Sequence, residues 1–191
     1  MVEAPAKSGL ISDLARIVDS ESVTTSRADL YIYSQGLTQA APHWPDVVIL
    51  PKTVAEVRAI LRLADRDKTS VTPYVAGGNI GGVAIPLGGG IILDLKRMDR
   101  IIEVNDTDYA LVEPGVTFGH IKACLDKDHP DLVYTYAFSP PSTGVVTNAI
   151  LQGLDNLSFR YGAASHWVSG VEAVLAIVLT LSSKSRYTLG A

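Results

Sequence analysis

Several features are scarce in this sequence, and each scarcity excludes a class of protein. The 191 residues include one cysteine, Cys124, so no disulfide can form within the chain. Sixteen basic residues stand against 20 acidic ones, for a net charge of -4, which leaves no basic surface to neutralise the phosphates of a nucleic acid. We therefore expect a protein of a reducing compartment that does not bind nucleic acid.

Long hydrophobic runs are also scarce. The longest, at 168–181, contains Glu172 and is shorter than the roughly 20 residues that a membrane-spanning helix needs. The first residues lack the apolar core of a secretory signal. We expect no membrane span, an intracellular, cytoplasmic location, and a buried strand at 168–181.

Hydrophobic spacing divides the chain into a short lead-in and a larger domain. Apolar residues at 10, 11, 14, 17 and 18 recur with a helical period and predict an amphipathic helix near the N-terminus. We assign residues 1–40 to this helix and its lead-in, and residues 41–191 to the main domain. With 47% hydrophobic residues, the chain can bury a core without disulfides.

Residues 47–75 alternate between strand and helix patterns. The segments "VVILP" (47–51) and "SVTPYVAG" (70–77) have the composition of strands, and the residues between them have the spacing of an amphipathic helix. Thr53, followed three residues later by Glu56, predicts a capping box at the start of that helix. Two strands joined by a helix are most simply parallel, with a right-handed crossover.

The following residues indicate antiparallel β-structure. Three β-rich runs at 89–95, 100–106 and 109–115 are joined by short polar turns, which predicts an antiparallel meander. A helix is expected after Thr117, which has the chemistry of an N-cap. The fold class is therefore α+β: a small parallel βαβ lobe followed by a larger antiparallel sheet with flanking helices.

Seven glycines fall within Tyr74–Gly90, directly after the second strand of the βαβ lobe. Their spacing matches neither the dinucleotide pattern G-x-G-x-x-G nor a P-loop. Glycine permits positive φ and lets the backbone approach a ligand closely, and successive free N–H groups can form an anion-binding nest. From these residues alone, a phosphate-binding loop and an ordinary surface turn both remain open.

The order and spacing of several segments form a more specific pattern. These segments are "YSQGLT" (33–38), "PKTVAEVRAILRLA" (51–64), the glycine loop (76–82), "IILDLKRMDRIIEVN" (91–105), "YALVEPGVTFGHI" (109–121), "TNA" (147–149) and the stretch 160–176. Across them the chain resembles the vanillyl-alcohol oxidase and p-cresol methylhydroxylase flavoprotein family, whose FAD-binding domain is called PCMH-type. The resemblance implies FAD as cofactor and hydride transfer to FAD from a small organic substrate.

The resemblance also implies two cofactor-binding segments. The first wraps the FAD pyrophosphate through backbone N–H groups, at Ala76, Gly77, Gly78, Asn79, Ile80, Gly81 and Gly82. The second comprises Ser139, Pro140, Ser142 and Asn148, and Val174 on a later strand would lie near the adenine. Gly88–Gly90 are expected to form a turn only.

The chain departs from the family pattern beside the flavin ring. Phenol-oxidising members often place a carboxylate just after a Tyr-Gly dipeptide, but that position here is Ala163 or, with a shifted alignment, Ser165. His166 could act as a base or simply pack, so no catalytic residue is assigned. Asn79 stands where some relatives with covalent FAD have a histidine, so we expect non-covalent FAD. No metal site is predicted.

In the family pattern a further domain caps the flavin and binds the substrate. This sequence ends before such a domain, so we expect an exposed flavin face that self-association or another chain covers. The expected function is the FAD-binding portion of an oxidoreductase acting, where a cap domain is supplied, on a phenolic alcohol or alkylphenol. A lactate- or glycolate-type hydroxy-acid dehydrogenase domain and a non-catalytic flavin-binding fragment or interaction module are the alternatives.

Overall fold

The computed structural model describes residues 8–78, 82–105, 109–132, 144–145, 168–175 and 180–184. The helices in these ranges are α1 (Ser8–Ile17), α2 (Arg27–Tyr33), α3 (Val54–Arg66) and α4 (Phe118–Asp128). The strands are β1 (Val23–Thr24), β2 (Val47–Ile49), β3 (Val71–Tyr74), β4 (Ile91–Asp94), β5 (Ile101–Val104), β6 (Ala110–Val112), β7 (Gly170–Val174) and β8 (Thr180–Lys184). Across these ranges, no helix is long and apolar enough to cross a membrane.

The chain divides into two compact units, which are described separately: residues 1–97 with 174–179, and residues 98–173 with 180–191. The first unit contains a four-stranded sheet in the order β1-β2-β4-β3. Strands β2 and β3 both run parallel to β4, and β1 runs antiparallel to β2. The predicted parallel βαβ lobe is therefore confirmed, and with it the α+β class.

The position of β4 corrects one sequence-based expectation. The run around "IILDL" was predicted to begin an antiparallel meander, but β4 lies between β2 and β3 and is parallel to both. All four of its residues are buried. Continuous burial is typical of a central strand in a parallel sheet, whereas a meander strand with one wet face would alternate.

Gly90 fixes the start of this central strand. Its backbone has φ of +79°, and a Cβ at this position would overlap the carbonyl oxygen of Ser70. The same oxygen accepts a hydrogen bond from the N–H of Ile91 at 2.8 Å, and the carbonyl of Gly90 accepts one from Asp46 at 2.8 Å. The turn assigned to Gly88–Gly90 thus brings three strands into register, which requires glycine at position 90.

Helix α3 begins where the capping box predicted. The Thr53 hydroxyl accepts a hydrogen bond from the N–H of Glu56 at 3.2 Å. The Glu56 carboxylate accepts the return bond at 2.6 Å from the N–H of Lys52, one residue before the N-cap, rather than from Thr53 itself. The helix buries the stripe Val57, Ile60, Leu63 and Ala64. Helix α1 packs against it and buries Leu10 and Leu14, as its apolar spacing predicted.

In the second unit, β5 and β6 form the expected antiparallel hairpin. Helix α4 starts as predicted, with the Thr117 hydroxyl accepting from the N–H of His120 at 3.3 Å. A small core forms beneath this helix from Val116, Phe118, Ile121 and Val145.

Two specific sequence motifs of this unit are joined by one ion pair. Glu113 of "ALVEPGVTFG" is buried and accepts hydrogen bonds from the Arg100 side chain, the shorter at 2.6 Å, and from the Arg100 backbone N–H at 2.9 Å. The N–H of Glu113 in turn donates to the carbonyl of Arg100 at 3.0 Å. Arg100 belongs to "LDLKRMDRIIEV" and directly precedes β5, and Glu113 directly follows β6, so the pair joins the two strands at the base of the hairpin.

This ion pair predicts a pH-dependent contribution to stability. The hydrogen bond from Arg100 holds the pKa of Glu113 below its usual value of 4.5, despite burial. Because the folded-state pKa is the lower one, the stabilisation is complete above the unfolded-state pKa and is lost as the pH falls through the folded-state pKa. Glu113→Gln should cost about 2 kcal/mol of unfolding free energy at neutral pH, measured by urea denaturation.

The difference between Glu113→Gln and the unsubstituted protein should shrink as the pH falls well below 4.5. The exposed residue Glu21 supplies the control, and Glu21→Gln should change the unfolding free energy little at either pH. A difference in unfolding free energy between Glu113→Gln and the unsubstituted protein that stays constant from neutral to acidic pH would contradict a role for the ionised carboxylate.

The segment 168–181 also differs from its prediction as one long buried strand, because the residues of β7 are exposed or half-buried. It contains strand β7 and the first residues of strand β8, which pair with each other in a two-stranded sheet. Residues 175–179, between the two strands, include no Gly, Pro or Asn to signal a turn, so composition alone could not show where the first strand ends. Val174 is the last residue of β7 and is half-buried.

Candidate cofactor-binding site

The glycine loop leaves the sheet at the carboxyl end of β3. Tyr74, the last residue of β3, is in register with Asp94, the last residue of the parallel strand β4. The carboxyl ends of both strands therefore lie at the same sheet edge. In open parallel sheets, ligands bind just outside this edge.

A cleft of about 310 Å³ lies at this point. One wall is the turn after β3, and the other is the segment that follows α2. The lining residues are Gln35, Gly36, Leu37, Tyr74, Ala76, Gly77 and Gly78. None of these residues has a charged side chain, so an anion bound here would interact with backbone N–H groups and neutral polar groups.

Two glycines of the loop are required by the fold of the chain itself. Gly77 has φ of +63° and Gly82 has φ of +74°, a region that residues with a Cβ rarely adopt. In addition, a Cβ on Gly77 would overlap the hydroxyl of Tyr74. Glycine at these two positions is therefore explained by the chain's own geometry.

Gly78 differs from Gly77 and Gly82, because neither its φ nor a neighbouring atom requires glycine. Its φ is not in the left-handed region, and among the described residues, its chain neighbours aside, no atom lies within 4 Å of the position that its Cβ would take. Neither backbone conformation nor internal packing therefore requires glycine here. A side chain would instead project into open space beside the cleft, which is where a bulky pyrophosphate would need bare backbone. The residues present thus fit a dinucleotide phosphate.

A polar network of Tyr33, Asp94 and Lys96 lies beside Tyr74, where the glycine loop leaves the sheet. The carboxylate of Asp94 is fully buried and accepts a hydrogen bond from the Tyr33 hydroxyl at 2.6 Å. The Lys96 ammonium lies 2.9 Å from that carboxylate and donates to the Tyr33 hydroxyl, also at 2.9 Å. The ring of Tyr74 meets the ring of Tyr33 edge-on, with 4.7 Å between centroids. The network thus connects Asp94 of β4, through Tyr33, to Tyr74, whose hydroxyl lies against Gly77.

The environment keeps these groups in fixed protonation states. Burial, together with the hydrogen bond to Asp94, raises the pKa of Tyr33 to about 12. Burial and the charge of Asp94 also raise the pKa of Tyr74. Burial alone would lower the pKa of Lys96, but its hydrogen bonds to Tyr33 and Asp94 outweigh it and raise the pKa. Both phenols are therefore protonated hydrogen-bond donors at neutral pH.

Sequence reasoning missed this network. Tyr33 and Asp94 are 61 residues apart, and Tyr33 was noted only as part of a resembling segment. One signal was available: Asp94 ends the otherwise apolar run "IILD", and a carboxylate at the end of a buried strand needs hydrogen-bond partners.

Among the residues predicted to bind the cofactor, Ala76, Gly77 and Gly78 line the cleft together, and Gly82 stands where the described chain resumes. Val174 ends β7. The other predicted cofactor residues, Asn79, Ile80, Gly81, Ser139, Pro140, Ser142 and Asn148, lie outside the described residues, as do Ala163, Ser165 and His166.

A cleft at the carboxyl edge of a parallel sheet, with a glycine turn as one wall, is typical of nucleotide-binding domains. Comparison with known proteins makes this specific. The family model described as "FAD binding domain" matches residues 45–177. The chain therefore belongs to the PCMH-type FAD-binding domain family, and its cofactor is FAD.

Relatives in this family have different named activities. Over 139 residues the chain is 32% identical to the flavoprotein subunit of 4-cresol dehydrogenase (hydroxylating) from Pseudomonas putida, covering 71% of this chain and 26% of that protein. Over 171 residues it is 29% identical to a glycolate oxidase subunit from Bacillus subtilis, covering 85% of this chain and 35% of that protein.

A solved structure supports the fold assignment. Substrate-bound p-cresol methylhydroxylase superposes on the chain with a TM-score of 0.82 at 28% identity, covering 95% of this chain and 36% of that one. The chain thus spans 26% to 36% of the length of these three proteins.

Proposed function

We propose that this chain is the FAD-binding part of a flavin-dependent oxidoreductase and that it holds the FAD pyrophosphate on the backbone of residues 76–82. The observation that carries the proposal is the open space beside Gly78 in the lining of the cleft, which no contact among the described residues explains. Backbone N–H groups of a glycine loop can converge on an anion without a lysine. Asn79 would add a side-chain amide.

The remaining cofactor contacts are proposed from the family resemblance. Ser139, Pro140, Ser142 and Asn148 would form the second cofactor segment, and the backbone of Val174 would contact the adenine end. FAD would be bound without a covalent link to this chain, so acid precipitation of the loaded protein should leave the flavin in solution.

Bound FAD supplies a ring that accepts a hydride from the substrate. We propose a phenolic alcohol or alkylphenol as that substrate. The 4-cresol dehydrogenase relative and the likeness to p-cresol methylhydroxylase support this choice. The role of the residues described here is to bind and orient the cofactor, and the substrate-binding groups are proposed to come from a cap domain.

A small hydroxy acid is the second candidate substrate, because the glycolate oxidase relative matches a longer part of this chain. Two of the relatives are named as subunits of larger enzymes. This supports the proposal that another chain, or a second copy of this one, covers the flavin face.

The substrate class can be tested by flavin reduction. The protein is loaded with FAD, supplied with a cap domain and mixed, without oxygen, with 4-cresol or with glycolate, and the visible absorption of the flavin is followed. We expect bleaching with 4-cresol only. Bleaching with glycolate only would favour the hydroxy-acid alternative, and stable FAD binding without bleaching by either compound would favour a flavin-binding module that does not turn over alone.

A further inference from the structure

The cleft offers few side-chain groups to an anion. Of its lining residues, Ala76, Gly77 and Gly78 provide backbone only. The polar side chains in the lining are those of Gln35 and Tyr74. Tyr74 is the one next to the glycine turn, because its hydroxyl occupies the place where a Cβ of Gly77 would project.

The position of this hydroxyl is well determined. The Tyr74 ring packs edge-on against Tyr33, with an interplanar angle of 64°. Tyr33 is itself fixed by its hydrogen bonds with Asp94 and Lys96. Tyr74 also packs on the buried cluster that contains Leu30. A hydroxyl held this firmly loses little rotational freedom when it binds a ligand.

We propose that Tyr74 is a cofactor-binding residue whose hydroxyl donates a hydrogen bond to the FAD pyrophosphate beside Gly77. This inference rests on the proposed placement of the pyrophosphate in the glycine loop. A phosphate oxygen is an anionic acceptor, and hydrogen bonds to charged groups are about twice as strong as those between neutral groups. Because burial raises the pKa of Tyr74, the hydroxyl keeps its proton at neutral pH and remains a donor.

The test is Tyr74→Phe, which keeps the ring and its contact with Tyr33 but removes the donor. FAD affinity, measured by titration of flavin fluorescence, should fall at least about tenfold. The melting temperature of the protein without FAD should change little. The matched control is Tyr31→Phe, because Tyr31 is 53% exposed and does not line the cleft, and its FAD affinity should be unchanged.

The outcomes separate this inference from the proposed function. If the unsubstituted protein does not bind FAD, the proposed function fails. If it binds FAD and Gly78→Val loses binding while Tyr74→Phe keeps full affinity, the loop assignment stands and the role of Tyr74 is overturned. Equal losses in Tyr74→Phe and Tyr31→Phe would also overturn it, because the effect would not depend on the cleft.

Discussion

Gly78→Val is expected to reduce FAD affinity at least about 100-fold, equivalent to ~2.7 kcal/mol, without unfolding the protein. The two added methyl groups would occupy the space that we assign to the pyrophosphate. Apart from its chain neighbours, no atom in the described part of the chain lies within 4 Å of the Cβ position, so the side chain meets no internal clash there. The loss should therefore appear in binding and not in the melting temperature.

Gly9 offers a matched control for this substitution. It lies in α1, and the space around its Cβ position is likewise open within 4 Å. Gly9→Val should therefore leave FAD affinity unchanged. Retained affinity in Gly78→Val would move the phosphate site elsewhere, and a comparable loss in Gly9→Val would indicate that any added bulk disturbs the fold.

Lys96→Met is expected to cause the largest loss of stability, about 3 kcal/mol in the free energy of unfolding, because the range for fully buried pairs is about 3–5 kcal/mol and the Lys96 side chain is 51% exposed. It removes the cation that lies 2.9 Å from Asp94 and leaves a carboxylate with no exposed surface. The Tyr33 hydroxyl and the backbone N–H of residue 96 would still donate hydrogen bonds to that carboxylate, which places the loss of unfolding free energy towards the lower end of the range. Urea denaturation at neutral pH measures it.

Lys122→Met is the control for Lys96→Met because it deletes the same charge from an exposed pair. Lys122 and Asp126 are 73% and 62% exposed and lie one helical turn apart in α4. Pairs of this kind contribute about 0.3–0.5 kcal/mol. Similar losses of unfolding free energy in the two variants would show that burial of Asp94 does not strengthen its ion pair with Lys96.

Local signals predicted the local structure of this chain well. Thr53 and Glu56 specify the start of α3 through two short-range hydrogen bonds, and Thr117 does the same for α4, so neighbouring residues contain the whole signal. The glycine loop could be placed after β3 because strand composition and glycine content change abruptly at Tyr74.

Long-range structure was less predictable. Whether "IILD" pairs with its neighbours in sequence or inserts between β2 and β3 depends on contacts with Val47 and Val71, which a linear pattern does not contain. The hydrogen bond from Tyr33 to Asp94 could not be predicted for the same reason, because its two residues lie 61 positions apart. The glycines illustrate the difference: the chain's own geometry explains Gly77 and Gly82, whereas no contact among the described residues explains Gly78, which we assign to the proposed pyrophosphate site.

The central claim is that this chain binds FAD through its glycine loop, and an equilibrium titration of the purified chain with FAD tests it most directly. The account predicts saturable binding with one FAD per chain, and competition by ADP, which carries the same adenosine and pyrophosphate. Failure to bind FAD, or binding that ADP does not compete with, would contradict the assignment of the cleft beside Gly78 to the pyrophosphate.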